Sequence, residues 1–475
     1  MRQASKTIGL GLALLLAAGG AFAQVSFSKY VALGDSYAAG YSNNSLVQTH
    51  QINSYPAILA GQFGITGFEL PLISEPGIPG EYELKALHVV NGSVVPVITP
   101  KDGQGQPINA QLARPYDDLG IPGARVNDLV TKTGDITKLI TGNIDPNTLM
   151  YDIVLRDGQH TALEQAIGLQ GSFYTVWIGG NDVLNGVLAG VVVDGVTLTP
   201  TASFQSDYTT LLGAIRSQLP NAAIVVANLG DVTALPYVTA VKPYLVNPAN
   251  GSHIPLIGEA GLITEDDYLT LQAAPLIQQG IGVPVAAGGT GLPLPEGKID
   301  QTGLHAGVIL RKSEVDQVRA RTAEINAVIA AVAAQVGAKV VDVNPLWSSL
   351  VAGTYVVGGV KVTASFLTGG MFGYDGFHPS DLGYAIIANE FIRVINADYG
   401  TEVPEVNLRP YLLGAQAATT VLANQALFTH EAGVAMLHAM VPNVQTDTLD
   451  VPVHRPVRRI LQREAPEAQG RPSIH

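Results

Sequence analysis

The sequence predicts an α/β fold with a mainly parallel sheet, and two observations predict it. Short apolar runs of strand length recur along the chain, and helical patterns of apolar residues lie between them. Unbroken apolar runs are typical of parallel strands, which are buried on both faces. Short buried strands that alternate with helices indicate an α/β domain, in which functional residues gather at the carboxyl ends of the strands.

Four apolar runs are the predicted strands of this sheet: residues 30–33, 174–178, 223–227 and 339–343. The clearest helix follows Ser313, which with Asp316 forms an S-x-x-D capping box. Valine and isoleucine then recur at helical spacing until Gly337, a residue typical of the position just after a helix. A second helix is predicted after Ser380.

Three long stretches interrupt the alternation: residues 64–120, 184–205 and 236–308. Connections of this length are unusual and often form lids or pocket walls, so we expect that role for these insertions within one domain over residues 24–400. The first insertion contains strand-like pieces at residues 88–90 and 94–97. Residues 401–475 are predicted to be a C-terminal extension, helical over residues 407–440 and flexible beyond.

The first 23 residues have the pattern of a signal peptide. Arg2 and Lys6 precede an apolar run over residues 8–18, and the Ala-Phe-Ala sequence at residues 21–23 fits the cleavage pattern. No other stretch reaches the roughly 18 uninterrupted apolar residues that a membrane span needs. We therefore expect an exported protein, periplasmic or extracellular, with no stable membrane span. An uncleaved N-terminal anchor is the alternative.

Composition excludes several classes of function. With 47% apolar and 14% charged residues the chain can build a sizeable core, which excludes wholesale disorder. The formal net charge of −13 argues against nucleic acid as a partner. Because there is no cysteine, disulfides, thiolate metal sites and a cysteine nucleophile are excluded.

Two segments carry the residue types of a serine-based catalytic site. Ser36 directly follows the first predicted strand, where a tight turn would present its hydroxyl above the sheet edge. His378 is a suitable general base because imidazole exchanges protons near neutrality, and Asp375, three residues earlier, can fix its tautomer. Taken singly, Ser36 also fits a helix N-cap, and His378 fits a buried structural histidine.

Two further segments offer donors for an oxyanion. Asn181 follows the predicted strand at residues 174–178 and could direct its side-chain amide at a developing negative charge. Gly123 lies in a glycine-containing turn, where the backbone can approach a ligand closely enough for its N–H to donate. Each also fits ordinary turn chemistry, but the four segments together supply nucleophile, base, orienting carboxylate and oxyanion donors.

These segments resemble the four ordered motifs of the SGNH hydrolase superfamily, also called the GDSL esterase/lipase family. The motifs here are Gly34-Asp35-Ser36, Gly120-Ile121-Pro122-Gly123-Ala124, Trp177-Ile178-Gly179-Gly180-Asn181-Asp182 and Asp375-Gly376-Phe377-His378-Pro379. The resemblance extends over about residues 28–397, and it departs at Tyr37, where the family name has leucine. It implies a flavodoxin-like three-layer α/β/α sandwich.

The resemblance also implies a role for each site residue. Ser36 would be the nucleophile, His378 the base and Asp375 the group that orients the histidine. The oxyanion hole would combine the Ser36 N–H, the Gly123 N–H and the Asn181 side chain. No metal and no organic cofactor is implied.

The expected function is an exported serine esterase or lipase that cleaves carboxylic esters through an acyl-enzyme, with a small-molecule or lipid ester as substrate. The apolar stretch at residues 183–188, if it lines the pocket, favours an apolar ester part. A carbohydrate O-deacetylase and a phospholipase are alternatives on the same site. From other classes, the alternatives are an inactive secreted binding module and a metal-dependent hydrolase using Asp35, Asp375 and His378.

Overall fold

The computed structural model describes residues 25–90, 93–416 and 427–451. The predicted signal peptide and residues 452–475 lie outside this described part. Within it, the central sheet has five parallel strands. Their order across the sheet is Lys339–Val341, Ala223–Ala227, Phe173–Trp177, Tyr30–Gly34 and Asp118–Gly120. The predicted α/β fold with a parallel sheet is confirmed.

Four of the five strands were predicted, with ends shifted by two residues or fewer. The three central strands are almost entirely buried, as expected for strands covered on both faces. The edge strand Asp118–Gly120 was not predicted because it is only three residues long and lies at the end of the stretch that we expected to be an insertion.

Helices cover both faces of the sheet. On one side Lys312–Val336 packs against Thr201–Gln218, and on the other Asp381–Tyr399 packs against Tyr55–Gln62. The helices in chain order are Ser36–Ala39, Gln48–Gln51, Tyr55–Gln62, Val126–Thr131, Ile136–Thr141, Leu149–Val154, Ala162–Gly168, Gly180–Ala189, Thr201–Gln218, Pro236–Thr239, Ala273–Gln278, Lys312–Val336, Asn344–Val351, Asp381–Tyr399, Arg409–Gln416 and His430–Met440. Short 3₁₀ turns span Val232–Ala234, Val285–Ala287 and Asp447–Leu449.

Both predicted helices are present, and their ends lie at or near the predicted residues. The long helix starts at Lys312 rather than after Ser313, because the Glu314 carboxylate, not that of Asp316, accepts the backbone N–H of Arg311 at 2.9 Å. It ends as predicted at Gly337, whose φ of +68° is left-handed. The second helix begins after Ser380, whose hydroxyl accepts the Gly383 N–H at 3.1 Å.

The long stretches between central strands contain short elements of their own. The predicted strand pieces in the first stretch belong to the antiparallel pair Tyr82–Val90 and Ser93–Pro100. In the stretch at residues 184–205, the end of helix Gly180–Ala189 and the beginning of helix Thr201–Gln218 flank an irregular segment at residues 190–200. The remaining peripheral strands are Tyr244–Val246, His253–Pro255, Ile257–Gly258, Gly261–Leu262, Tyr268–Leu269, Lys298–Asp300, Gly303–His305, Ile309–Leu310, Val356–Val357, Val360–Lys361, Leu427–Phe428 and Val444–Gln445.

The described part of the C-terminal extension packs onto the rest of the domain. Strand Val444–Gln445 pairs in parallel with Gly303–His305, in the third long stretch. Helix His430–Met440 buries Met436 and Leu437 completely. Across the described residues, no helix combines the length and apolar character needed to cross a bilayer.

Candidate active site

Ser36 occupies the turn between the central strand Tyr30–Gly34 and the short helix Ser36–Ala39. The turn is tight: a Cβ on Gly34 would lie 2.4 Å from the Trp177 carbonyl oxygen, so only glycine fits beside the neighbouring strand. Asp35 caps the helix by accepting the Tyr37 N–H at 3.0 Å. Ser36 is thereby held at the carboxyl edge of the sheet, with 4% of its surface exposed.

Ser36 and Asn181 line the same cleft, which encloses about 510 Å³ of empty space, part of it open to solvent. Most of the remaining lining is apolar or aromatic, from Tyr37, Trp177, Leu184, Leu229, Val232, Leu235 and Trp347. Residues 183–188, from which we expected a lining loop, are instead part of helix Gly180–Ala189, and Leu184 is the one that faces this cleft.

Asp375 and His378 are in direct contact. The Nδ1 atom of His378 lies 2.9 Å from Oδ2 of Asp375, and both side chains are fully buried. The other carboxylate oxygen, Oδ1, accepts the backbone N–H groups of Phe377 at 3.0 Å and His378 at 2.9 Å. The contact expected from the D-x-x-H spacing is therefore present.

The charge state of Asp375 fixes which imidazole nitrogen carries the proton. Burial raises the pKa of this carboxyl, but His378 and the backbone N–H donors of Phe377 and His378 outweigh burial, so the pKa of Asp375 lies below its usual value. Asp375 is thus ionised at neutral pH and accepts a hydrogen bond from Nδ1–H. An imidazole that donates through Nδ1–H and carries no second proton has Nε2 as its proton acceptor.

The Nε2 atom of His378 is buried and has no hydrogen-bond partner within the described part of the chain. The hydrogen bond from the Ser36 hydroxyl that general-base catalysis requires is therefore not formed in this conformation. The two motifs are nevertheless close, because the Tyr37 ring lies 6.0 Å from the His378 ring, centroid to centroid. Hydrogen bonds of this kind commonly tighten only when substrate is bound.

Of the three expected oxyanion donors, Asn181 and Gly123 lie outside the Ser36 turn and differ in their surroundings. Nδ2 of Asn181 donates to the Ala124 carbonyl at 2.9 Å, which leaves its second N–H available and joins the asparagine motif to the glycine motif. Gly123 has a φ of +80°, and a Cβ there would lie 3.8 Å from the Ala439 carbonyl oxygen. Gly123 borders a separate cleft formed with residues 438–440 and does not line the one around Ser36.

Comparison with known proteins adds one decisive observation. A family model described as GDSL-like lipase/acylhydrolase matches residues 30–391. The chain belongs to this family. The resemblance inferred from the four motifs is thereby confirmed, and the family membership supports an ester-cleaving hydrolase.

Two solved lipase structures match this chain, each with low sequence identity. An extracellular lipase from Streptomyces rimosus is 16% identical, with 78% of this chain and 98% of that chain covered and a TM-score of 0.31. A phospholipase A1 from Streptomyces albidoflavus is 13% identical, with the same coverage and a TM-score of 0.28. No curated protein matches the chain. At these TM-scores the likeness carries no information about the site.

Two buried carboxyl groups neighbour the candidate site residues in this GDSL-family chain: Asp35 precedes Ser36, and Asp182 follows Asn181. Burial is the main cause that raises the pKa of Asp35 to about 7; the hydrogen bond from the Tyr37 N–H opposes it, and the nearby Asp182 adds to it. Burial likewise raises the pKa of Asp182 to about 6. Asp35 acts as the N-cap of helix Ser36–Ala39, and a Cβ on Gly180 would lie 3.1 Å from its Oδ2 atom.

No group of three or more His, Asp or Glu side chains suited to hold a metal occurs among the described residues.

The sequence analysis missed two residues at the site, Trp347 and Asn44. Trp347 lines the Ser36 cleft, where its indole packs so closely on Gly230 that a Cβ there would lie 2.7 Å from the ring. Asn44 donates its backbone N–H to Oδ2 of Asp375 at 2.6 Å. The Asn43-Asn44 dipeptide is a turn signal that could have been noticed, whereas nothing in the sequence brings Trp347 to the site.

Proposed function

We propose that this protein is a serine hydrolase that cleaves carboxylic esters through an acyl-enzyme intermediate. One observation carries the proposal: the 2.9 Å contact between Asp375 Oδ2 and His378 Nδ1 leaves Nε2 without a partner in the described structure, next to the motif that carries Ser36. An ionised carboxylate that fixes the tautomer of a buried imidazole is the arrangement that activates a serine hydroxyl.

In the first half of the reaction, Ser36 Oγ attacks the ester carbonyl while Nε2 of His378 takes the hydroxyl proton. Negative charge develops on the carbonyl oxygen, which would accept hydrogen bonds from the Ser36 N–H and the free N–H of Asn181. Gly123 does not line this cleft, so its N–H has no part in the proposed step. When the tetrahedral intermediate collapses, the C–O bond to the alcohol breaks, and His378 returns the proton to the departing alkoxide. The acyl group is then bonded to Ser36.

In the second half, a water molecule repeats the attack on the acyl-enzyme. His378 removes a proton from this water, the same donors stabilise the second tetrahedral intermediate, and Ser36 leaves with the proton from His378. The carboxylic acid is released and the free enzyme is restored. Throughout, Asp375 remains ionised and stabilises the imidazolium.

The lining of the cleft supports esters with an apolar acyl or alcohol part. Leu184, Leu229, Val232 and Leu235 line the same cleft as Ser36 and provide contact area for hydrocarbon. A carbohydrate O-deacetylase would use an exposed aromatic face for the sugar. Trp177 and Trp347 are only 5% and 7% exposed and are packed into the wall of the cleft.

An ester assay combined with active-site labelling tests the proposal. Wild type should hydrolyse p-nitrophenyl butyrate and react with a fluorophosphonate, and mass spectrometry should locate the label on Ser36. Ser36→Ala should lose both properties. The matched control is Ser206→Ala, because Ser206 is an exposed serine on helix Thr201–Gln218. A label that persists in Ser36→Ala, or activity that survives it, would refute the nucleophile.

We also propose that the protein is exported. The support is the charged, apolar and small-residue pattern at residues 1–23, which is typical of a cleaved leader. N-terminal sequencing of the protein recovered outside the cytoplasm should begin at Gln24. A chain that retains residues 1–23 would favour the uncleaved anchor instead.

A further inference from the structure

We propose that the tight turn at residues 42–45 positions the Asp375 carboxylate, and that Asn43 is the side chain that holds this turn in place. The inference rests on the proposed function, because the position of Asp375 affects turnover only if Asp375 orients His378. The turn precedes Asp375 by more than 300 residues and belongs to none of the four motifs.

The turn reverses the chain within two residues. The Ser42 N–H donates to the Ser45 carbonyl at 3.1 Å, and the Ser45 N–H donates to the Ser42 carbonyl at 2.9 Å. Asn43 and Asn44 are therefore the central residues, with φ values of 50° and 55°. Positive φ at both central positions is the type I′ pattern, which favours asparagine and glycine.

This backbone conformation directs one N–H at the candidate triad. The Asn44 N–H is not used within the turn and donates to Asp375 Oδ2 at 2.6 Å. The same oxygen lies 2.9 Å from His378 Nδ1. Both Asn44 and Asp375 are completely buried, so water cannot replace the donor. The bond therefore fixes where the Oδ2 atom lies relative to the imidazole.

Three consecutive turn residues hold the segment at residues 373–379, which carries Asp375 and His378. The Ser42 hydroxyl donates to the Pro379 carbonyl at 2.9 Å. The Asn43 Oδ1 atom accepts the Tyr374 N–H at 2.8 Å, and a Cβ on Gly373 would lie 2.5 Å from this oxygen. With the Asn44 contact, the segment is bound on both sides of the Asp375–His378 pair.

Asn43 is in turn anchored to a charged cluster. Its Nδ2 atom donates to Glu81 Oε1 at 2.8 Å. The Glu81 carboxylate also lies 2.7 Å from His50 Nε2 and 2.6 Å from Lys101 Nζ, and His50 Nδ1 lies 2.7 Å from Asp381 Oδ1. Burial lowers the pKa of His50, but Asp381 and Glu81 outweigh it and raise the pKa to about 10. The cluster is therefore charged at neutral pH and keeps Asn43 oriented.

A double-mutant cycle on the full-length chain tests this role. Asn43→Ala should lower kcat for p-nitrophenyl butyrate roughly ten- to a hundredfold, with KM changed by less than about twofold, because the substrate cleft is untouched. In an Asp375→Asn background, the same substitution should lower the remaining kcat by less than about twofold. Equal losses in the two backgrounds would overturn the proposal, because Asn43 would then not act through Asp375.

A pair of substitutions at Asn44 provides a second measurement that does not depend on residual activity. Asn44→Gly keeps both the N–H and the positive φ, so its kcat should stay within about threefold of wild type. Asn44→Val keeps the N–H but disfavours positive φ, and its kcat should fall at least about tenfold. Equal kcat values for the two variants, both folded by circular dichroism, would overturn the proposal.

Asn443→Ala is the matched control, because Asn443 is exposed and also has a positive φ, of 56°. It should keep the kcat of wild type.

The double-mutant cycle also separates failure of this inference from failure of the proposed function. If wild type has no Ser36-dependent esterase activity, the proposed function fails. If that activity is present and Asn43→Ala retains it in full, only the positioning role fails.

Discussion

The hydroxyl of Tyr37 donates a 2.6 Å hydrogen bond to the carbonyl of Phe377 and so joins the residue after Ser36 to the residue before His378. The Tyr37 ring also packs edge-on against Trp177, with 5.1 Å between ring centroids. At this position the family name has leucine, which has no donor. In this chain the tyrosine therefore links the motifs of the expected nucleophile and base.

Tyr37→Phe tests the importance of that link. The substitution keeps the packing on Trp177 but leaves the Phe377 carbonyl without this donor, so the free energy of unfolding should fall by about 1 kcal/mol. If the bond also aligns Ser36 with His378, kcat should fall by up to about tenfold. Urea unfolding and steady-state ester hydrolysis measure the two effects. The control is Tyr208→Phe, since the buried Tyr208 hydroxyl has no partner among the described residues and its removal should not destabilise.

Much of the fold follows from apolar patterns that are local in sequence. The central strands Tyr30–Gly34, Phe173–Trp177 and Ala223–Ala227 are buried on both faces, so unbroken apolar runs mark them clearly. The edge strand Asp118–Gly120 has only three residues, and its pairing with Tyr30–Gly34 is a tertiary contact that no local pattern specifies. For the same reason, the pairing of Val444–Gln445 with Gly303–His305 was not predicted.

In the candidate site, too, contacts between residues close in sequence could be predicted, whereas contacts between distant segments could not. Asp375 and His378 are three residues apart, so their contact follows from spacing within one turn. The contact of Asn44 with Asp375 joins segments that are distant in sequence, and the turn that creates it needs two left-handed residues. The covering of Gly123 by residues 439 and 440 comes from the C-terminal extension, which has no part in the motifs.

Asn181→Ala measures the contribution of the expected oxyanion donor. Loss of one such donor costs roughly 2.7–4 kcal/mol of transition-state stabilisation, so kcat should fall by about two to three decades with little change in KM. The substitution also removes the bond to the Ala124 carbonyl, so folding is checked by thermal unfolding. Asn185→Ala is the matched control, since Asn185 is buried one turn further along the same helix. An unchanged kcat in Asn181→Ala would remove this residue from the site.

The elevated pKa of Asp35 predicts how stability depends on pH. In the unfolded chain this carboxyl ionises near its usual value of 3.8, whereas burial raises the pKa in the folded state to about 7. Between these values the unfolded state releases a proton that the folded state retains. The contribution of Asp35 to stability is therefore most favourable below about pH 4, decreases as the pH rises to about 7, and is level above it. The total contribution is on the order of 4 kcal/mol.

Asp35→Asn isolates this contribution from those of other carboxyl groups such as Asp182 and Asp375. Asparagine can still accept the Tyr37 N–H but cannot ionise, so the variant avoids the cost of a buried charge at neutral pH. Urea unfolding of both proteins at pH 4, 5, 6, 7 and 8 should show the free energy of unfolding of the variant rising relative to wild type up to about pH 7. The difference should then level off. A constant offset from the altered contact with Gly180 does not affect this slope, and a difference independent of pH would contradict an elevated pKa for Asp35.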